Sequence, residues 1–600
     1  MKNLVIRICG TAGEGVISSG DIFALAVARS EYYVTTFRSF PSEIRGQGQC
    51  SFQLKISEEK AFTTGLRSNV LIGLNEQAIS DNIKLLRSGG ILIMDSDVVQ
   101  NTYDESSGII KYRIPITTIA TETASLRAKN MVAIGVMAGL VPQLGLKEQL
   151  KKDIQKRYSK KGQEVIESNI KAFEEGYRYA TEELEREDNL SAISMQKSGQ
   201  KLIMSGNEAI ALASIIAGCR FYSGYPITPA TEIMEWLALE MPKVNGIMLQ
   251  CEDEIAAITA AIGASYGGAK AMTATSGPGL SLMSEALGLA SMAELPLVIV
   301  DVQRGGPSTG LPTKTEQSDL NMAIYGTHGE APKIVIAPMN VEDCFYQTIN
   351  AFNFAEKYQM PVILLSDAAI GQRKECVDKI DIEKIKIENR IKYNRDEDKG
   401  LYVRYKNTFS GISPISSPGD KGGAYVATGL EHTEYCRPSS APDVHKMMTE
   451  KRFKKLETAA QDFIPAKTYG PDDAKIGIIT WGGTTGAVLE AVDMAREKGY
   501  KVQALYPRTI YPLPDQWLNK FLEGKEIVMV AETNYTAQLL HTLVYRLNKI
   551  NKDMKLFPVL KYNGEPFSAR EVFDKVDAII REQTLRYTVF ETEKDDSYKF

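Results

Sequence analysis

Two stretches of the chain hold residues that could do chemistry together. In the first, Gly224 to Ile233, prolines 226 and 229 flank Ile227-Thr228. Each proline fixes φ, lacks a donor and biases the residue before it toward extended geometry. Thr228 is therefore expected on a stiff loop, its hydroxyl and amide turned outward, running into a helix N-terminus suited to a carboxylate or other anion. In the second, Gln250-Cys251-Glu252-Asp253-Glu254 precedes an alanine-rich helix (Ile255 to Tyr266), and Thr273-Ala274-Thr275-Ser276-Gly277-Pro278-Gly279 follows. One acid opening a helix is usually a dipole partner. Three at the end of a buried strand need more explanation, because carboxylates are rarely buried alone. With Thr-Ser-Gly-Pro-Gly about twenty residues on, they point to the pyrimidine-binding half of a thiamine diphosphate enzyme. There one glutamate bonds the aminopyrimidine ring, and the cofactor does the carbon chemistry.

Other features read as structural. Gly10-Thr11-Ala12-Gly13-Glu14-Gly15 has Ala12 where a dinucleotide fingerprint needs its middle glycine, and the available acid, Glu31, precedes the second strand. A tight strand-to-helix turn without NAD(P) is expected. Arg45-Gly46-Gln47-Gly48 reads as an exposed loop whose arginine serves either a phosphate or a domain interface. The histidines at 328, 432, 445 and 541 form no ligand pair at helical spacing, so no metal site is expected on this chain. His432, in Gly429-Leu430-Glu431-His432, is the one to follow toward the site. Seven scattered cysteines contain no CxxC pair, which predicts no cluster or structural zinc here and fits a reducing cytoplasm.

Strands alternating with helices position these residues, and the fold class expected is α/β, with three Rossmann-like, thiamine-diphosphate-type parallel-sheet domains in one chain. Residues 1–190 open with strand Leu4–Cys9 and helix Val16–Ala28, followed by strands Val34–Phe37, Asn69–Leu74 and Gly90–Met94. A continuous charged helix is expected over Lys147–Leu184. Residues 200–375 form the block bearing the acids. Residues 376–470 are a connecting segment, poor in periodicity, that covers a surface or meets a partner and ends in a basic helix (Val444–Thr458). Residues 471–600 start a new α/β unit.

The whole chain resembles the α subunit of the 2-oxoacid:ferredoxin oxidoreductases, with a fused N-terminal γ domain, of the 2-oxoglutarate type. The likeness rests on Tyr225-Pro226-Ile227-Thr228-Pro229, Glu252-Asp253-Glu254, Thr275 to Gly279 and Gly429 to His432. Arg304-Gly305-Gly306-Pro307-Ser308-Thr309-Gly310-Leu311-Pro312-Thr313 also carries it, and the Gly10–Gly15 and Arg45-Gly46 regions add weaker support. The resemblance implies that Glu254 contacts the thiamine pyrimidine, with Glu252 as its rival, and that Thr228 lies beside the 2-oxoacid carboxylate. It further implies that Arg304 pairs with that carboxylate through its guanidinium fork, that Thr313 stands where substrate side chains are selected, and that Tyr225 and Ser276 are pocket neighbours.

It also implies a 1–190 γ-type domain, a 200–375 pyrimidine domain and a 471–600 transketolase C-terminal-like domain serving as scaffold and dimer contact. Neither Gly20-Asp21 nor Gly419-Asp420 is followed by glycine, so the diphosphate half is expected elsewhere. A smaller β subunit would bring Mg²⁺, diphosphate contacts and a [4Fe–4S] cluster to a shared thiamine diphosphate in an (αβ)2 assembly using coenzyme A and ferredoxin. On the same likeness alone, the N-terminal domain is expected to help hold coenzyme A.

Composition is compatible with this reading. Hydrophobic residues make up 44% and charged residues 24%, with a net charge of −5 and no basic stripe, which argues against nucleic acid. No apolar run reaches about 18 residues, so no membrane helix is expected, and the location expected is cytoplasmic. Three alternatives stay open: a non-redox thiamine enzyme subunit, a non-catalytic scaffold, and a member specific for pyruvate or branched-chain 2-oxoacids.

Overall fold

The structure is a computed structural model that describes residues 3–40, 48–103, 108–396, 401–550 and 554–582. Arg45, Gly46 and Gln47 lie outside the described residues. The chain forms two compact units, residues 1–206 with 372–384, and residues 207–371 with 385–600.

The first unit is built on an eight-stranded sheet. One half is parallel as expected: strands Asn3–Thr11, Ser68–Gly73, Leu86–Asp95 and Ile110–Ile114. The other half is antiparallel, because Gln49–Ser57 pairs with Asn3–Thr11 and with Tyr33–Ser39. This sheet is therefore mixed. Strand Lys374–Val377, which follows the second block in sequence, completes its edge between Tyr33–Ser39 and Leu202–Ser205.

The glycine turn is closed by its own side chains. The Glu14 carboxylate accepts from the Thr11 amide at 2.6 Å and from Asn75 Nδ2 at 3.1 Å. Gly15, at φ 79°, leaves no room for a Cβ against Asn130. The expected continuous helix from 147 is interrupted: Lys147–Tyr158 ends before Gly162, whose φ of 94° breaks the run, and Gln163–Arg178 resumes it.

The second unit carries two sheets on one continuous apolar core that includes Ile299, Ile363, Ile479, Trp481 and Val528. Its seven-stranded sheet runs, in spatial order, Thr509–Tyr511, Ile334–Ile336, Pro361–Asp367, Leu297–Gln303, Lys270–Thr275, Cys219–Gly224 and Ile247–Gln250. All but the first strand are parallel. The five-stranded sheet centres on Ile476–Thr480, parallel to Val502–Tyr506 and Ile527–Glu532.

The basic helix of the connecting segment is Pro442–Ala459, and one face of it, with Lys451, Arg452 and Lys455, is buried. Lys451 and Lys455 are fully buried on Glu294, with Lys451 Nζ 2.7 and 2.8 Å from the two carboxylate oxygens and Lys455 Nζ at 2.9 Å. Arg404, also buried, donates to the Glu294 carbonyl at 2.8 Å. Burial opposes ionisation of Glu294, but Lys451, Lys455 and Arg404 outweigh it and hold the carboxyl well below the usual range. Burial in turn brings Lys455 down to about 7, against the pull of Glu294. No helix among the described residues is long and apolar enough to cross a membrane.

Candidate active site

Parallel strands place the loops after their C-terminal ends on one edge of the sheet, where α/β folds bind ligands. Four adjacent strands do so here. Tyr225 and Thr228 follow Cys219–Gly224, Glu254 follows Ile247–Gln250, Ser276 follows Lys270–Thr275, and Arg304 follows Leu297–Gln303. Residues distant in sequence are thus assembled by strand order.

The Thr228 loop is held at both ends. The Cys251 amide donates to the Gly224 carbonyl at 2.9 Å, and buried Asn207 donates through Nδ2 to the Pro229 carbonyl at 2.9 Å. The Thr228–Pro229 peptide is cis. Thr228 and Arg304 meet directly: Arg304 Nη1 donates to the Thr228 carbonyl at 2.6 Å. Arg304 is 7% exposed, and its Nε has no partner among the described residues. Burial draws this guanidinium below its ordinary value, countered in part by the charge of Asp319. Tyr225, at 40% exposed, stands at the rim.

Helix Glu254–Tyr266 starts on Asp253, whose side chain accepts from the Ala256 amide at 2.7 Å as an N-cap. That start separates the rival acids. Glu252 and Asp253 face solvent, whereas Glu254 turns inward at 6% exposed with no hydrogen-bond or ion-pair partner for its carboxylate among the described residues. Gly279 keeps the space beside it open: a Cβ there would lie 2.7 Å from Glu254 Cγ and would collide with Thr275 Oγ1. Ser276 is fully buried, and its hydroxyl is also without a partner among the described residues. An inward carboxylate and a buried hydroxyl, both without partners among the described residues and both at the C-terminal edge of the same sheet, suit a polar heterocycle that offers a donor, which is what an aminopyrimidine ring presents.

Thr313 lies on the return limb of a loop that begins at Arg304. The Gly305 amide donates to the Lys314 carbonyl at 3.0 Å, and the Leu311 amide to the Gly305 carbonyl at 2.8 Å. Gly310 sits at φ 53°, where a Cβ would run into the Gly305 carbonyl. Thr313 is thereby returned to the neighbourhood of Arg304.

Sequence reasoning missed two acids of this site. Asp301, within the apolar strand Leu297–Gln303, is fully buried with neither oxygen partnered among the described residues, and burial followed by Asp319 holds it well above the carboxylate range. Asp319 is pushed up to about 6 by burial and by Glu316, against the pull of Arg304. The available signal was a charged residue inside a Val-Ile-Val-Asp-Val run. His432, by contrast, is packed on Tyr405 at 4.0 Å between ring centroids, with Nδ1 at 2.9 Å from the Leu430 carbonyl, in the core of the connecting segment.

Three family models match the chain. Pyruvate flavodoxin/ferredoxin oxidoreductase, thiamine diphosphate-binding, covers residues 212–451; pyruvate ferredoxin/flavodoxin oxidoreductase covers 5–179; and pyruvate:ferredoxin oxidoreductase core domain II covers 474–572. The 2-oxoacid:ferredoxin oxidoreductase subunit alpha of Saccharolobus solfataricus is 33% identical over 96% of this chain and 98% of its own. The chain is an α subunit of the 2-oxoacid:ferredoxin oxidoreductase family. Within that family it is 34% identical to the 2-oxoglutarate oxidoreductase subunit KorA of Mycobacterium tuberculosis, over 89% of this chain and 86% of the relative. A solved 2-oxoglutarate:ferredoxin oxidoreductase from Magnetococcus marinus, with 2-oxoglutarate, coenzyme A and succinyl-CoA bound, matches at a TM-score of 0.90 and 39% identity, over 97% of this chain and 100% of that one. As a 2-oxoacid:ferredoxin oxidoreductase α subunit, the chain has its γ-like domain at the N-terminus and its thiamine diphosphate-binding domain next in sequence.

Proposed function

We propose that this α subunit, with a smaller β subunit, catalyses coenzyme A-dependent oxidative decarboxylation of 2-oxoglutarate to succinyl-CoA, releasing carbon dioxide and passing the electron pair to ferredoxin. Excess reduced ferredoxin would drive the reverse carboxylation. The observation that carries the reading is the pairing of Arg304 with the Thr228 carbonyl on the same sheet edge at which Glu254 turns inward with no partner for its carboxylate among the described residues. The substrate assignment draws on relatives described as 2-oxoglutarate enzymes, including one whose structure holds that acid.

In this reading Arg304 binds the carboxylate next to the keto group, and its grip on the Thr228 carbonyl fixes where that carboxylate lies. The Thr228 hydroxyl donates to the same end of the substrate. Thr313, on the returning limb, meets the far end and discriminates chain length, while Tyr225 closes the rim. Glu254 accepts a proton-sharing hydrogen bond from the aminopyrimidine ring, and the Ser276 hydroxyl flanks it. Thiamine diphosphate, when bound, supplies the carbon nucleophile and accepts the charge left by decarboxylation. The Mg²⁺, the diphosphate contacts and the [4Fe–4S] cluster belong to the β subunit, in an (αβ)2 assembly.

The test is viologen reduction by the native complex isolated through this chain, with coenzyme A and either 2-oxoglutarate or pyruvate. Reduction requiring both coenzyme A and 2-oxoglutarate is expected. Faster turnover of pyruvate would reassign the substrate, and no reduction from a cofactor-loaded complex would reject the activity. Glu254→Ala should abolish turnover while the complex still assembles; retained activity would remove Glu254 from its role.

A further inference from the structure

The loop that begins at Arg304 returns between two sheets: Thr315 Oγ1 donates to Asp367 at 3.3 Å and the Asp319 amide to Gln303 Oε1 at 3.2 Å on the sheet it left, while its further ties lie on the C-terminal domain. Its tip, residues 306–311, is exposed, and a Cβ added at Gly306 would meet nothing within 4 Å. Its return limb is tied to the C-terminal domain at three levels. Lys314 forms an ion pair with Glu565, and the Thr315 amide donates to the Gly564 carbonyl at 3.1 Å. Gln317, fully enclosed, donates through Nε2 to the Trp481 carbonyl at 2.8 Å. Its Oε1 accepts from Thr484 Oγ1 at 2.6 Å, the Thr533 amide at 2.9 Å and Thr533 Oγ1 at 3.0 Å. The Gln317 backbone is held as well: its amide donates to the Thr533 carbonyl at 2.7 Å, and its carbonyl accepts from Asn534 Nδ2 at 2.9 Å. Gln538 then reaches the Ser318 carbonyl at 2.7 Å and the Asn321 amide at 2.9 Å.

These partners are themselves fixed. Glu532 is buried and accepts from Asn534 Nδ2 at 2.7 Å and from the Leu539 and Leu540 amides at 2.9–3.2 Å. Thr533 and Asn534 directly follow strand Ile527–Glu532, and Trp481 directly follows Ile476–Thr480. The anchor is therefore the C-terminal edge of the five-stranded sheet. A buried side-chain amide with both its donor and acceptor satisfied resists displacement, because moving it strands several polar groups at once.

We infer that Gln317 is a positioning residue through which the C-terminal domain sets the distance between the carboxylate-binding Arg304 and the length-selecting Thr313. This rests on the activity proposed above and assigns that domain a share in substrate choice beyond that of a scaffold. Arg304 is fixed by its own strand and by Thr228, and the return limb is held at Gly305 through the Lys314 carbonyl and at Asp367 through Thr315; the Gln317 anchor just beyond fixes the course that limb takes, and with it where Thr313 stands. A longer 2-oxoacid senses both ends of that separation, whereas pyruvate senses chiefly the Arg304 end. Loss of the anchor should therefore affect the two acids unequally.

The experiment measures kcat and KM with 2-oxoglutarate and with pyruvate, using assembled complexes that carry wild-type chain, Gln317→Leu or Glu565→Ala. Gln317→Leu should change the ratio of the two kcat/KM values roughly 10-fold or more, mainly by weakening binding of the longer acid and so raising its KM, as displacements of about 1 Å cost up to roughly 100-fold. Glu565→Ala breaks only the outer tie and should shift the ratio the same way by about 2- to 5-fold; because it is a surface change, it keeps the test decisive if Gln317→Leu fails to fold. An unchanged ratio in Glu565→Ala and in every folded Gln317 variant, with both rates merely scaled, overturns the positioning role. Failure of the wild-type complex to turn over either acid would instead overturn the activity on which the inference depends.

Discussion

Replacing Arg304 should separate substrate binding from fold stability. The guanidinium is 7% exposed, donates to the Thr228 carbonyl at 2.6 Å and leaves Nε unpartnered among the described residues. Truncating one member of a desolvated, hydrogen-bonded charge pair costs about 2–5 kcal/mol of binding. Taking about 3 kcal/mol, at about 1.4 kcal/mol per tenfold, Arg304→Met should raise KM for the 2-oxoacid roughly 100-fold. Negative charge leaves the carboxylate as carbon dioxide forms, so the contact is at least as strong in the ground state as in the transition state. The loss should fall on KM, with kcat little affected. Arg304→Lys keeps the charge but not the planar fork and should cost roughly 10-fold. Stability should move differently, because burial disfavours this cation and draws its pKa down. Thermal denaturation of Arg304→Met should give a Tm no lower than wild type. The assay is coenzyme A-dependent viologen reduction over a 2-oxoacid titration, beside a melting curve of the same complex. An unchanged KM would refute the carboxylate role, and a raised KM with a collapsed Tm would make Arg304 structural.

Other perturbations follow from the same geometry. Gly279→Ala should push Glu254 aside and lower kcat by more than about tenfold in an intact complex, given the sensitivity of catalysis to small displacements; wild-type kcat would show that the carboxylate tolerates movement. Glu294→Ala leaves Lys451 and Lys455 buried without their anion and should destabilise the second unit by about 3–5 kcal/mol in denaturant titrations. The stability Glu294 contributes is present above its unfolded pKa of 4.5 and is lost as pH falls through its lower folded value, so this deficit should persist across neutral pH. Lys333 is buried, held down to about 8 by desolvation, and donates to Thr327 Oγ1 at 3.1 Å and the Ala331 carbonyl at 3.2 Å. For a depressed base the stability is full above the unfolded value of 10.5 and is lost as pH falls through about 8. Lys333→Met should thus stabilise at pH 7 by roughly 2 kcal/mol, after allowing for the lost hydrogen bonds, with the gain shrinking toward pH 10. Equal effects at both pH values would contradict the buried-cation account.

The sequence by itself determined the pieces whose cause is local. Prolines 226 and 229 stiffen the Thr228 loop whatever surrounds them, and the acids before an alanine-rich helix mark a helix start after a strand. Alternating strands and helices established the α/β class. Only the tertiary structure decided which glutamate faces inward, because the direction of Glu254 depends on Asp253 capping the helix against the neighbouring strand. It alone joined Lys374–Val377 to a sheet begun far earlier in the chain, and it buried one face of the basic helix, Lys451 and Lys455 included, on Glu294. Asp301, Asp319 and Gln317 acquire their meaning from partners on other strands. A hydrogen bond or a desolvation penalty depends on what lies within a few ångströms in space, and for these residues those neighbours are far away in sequence.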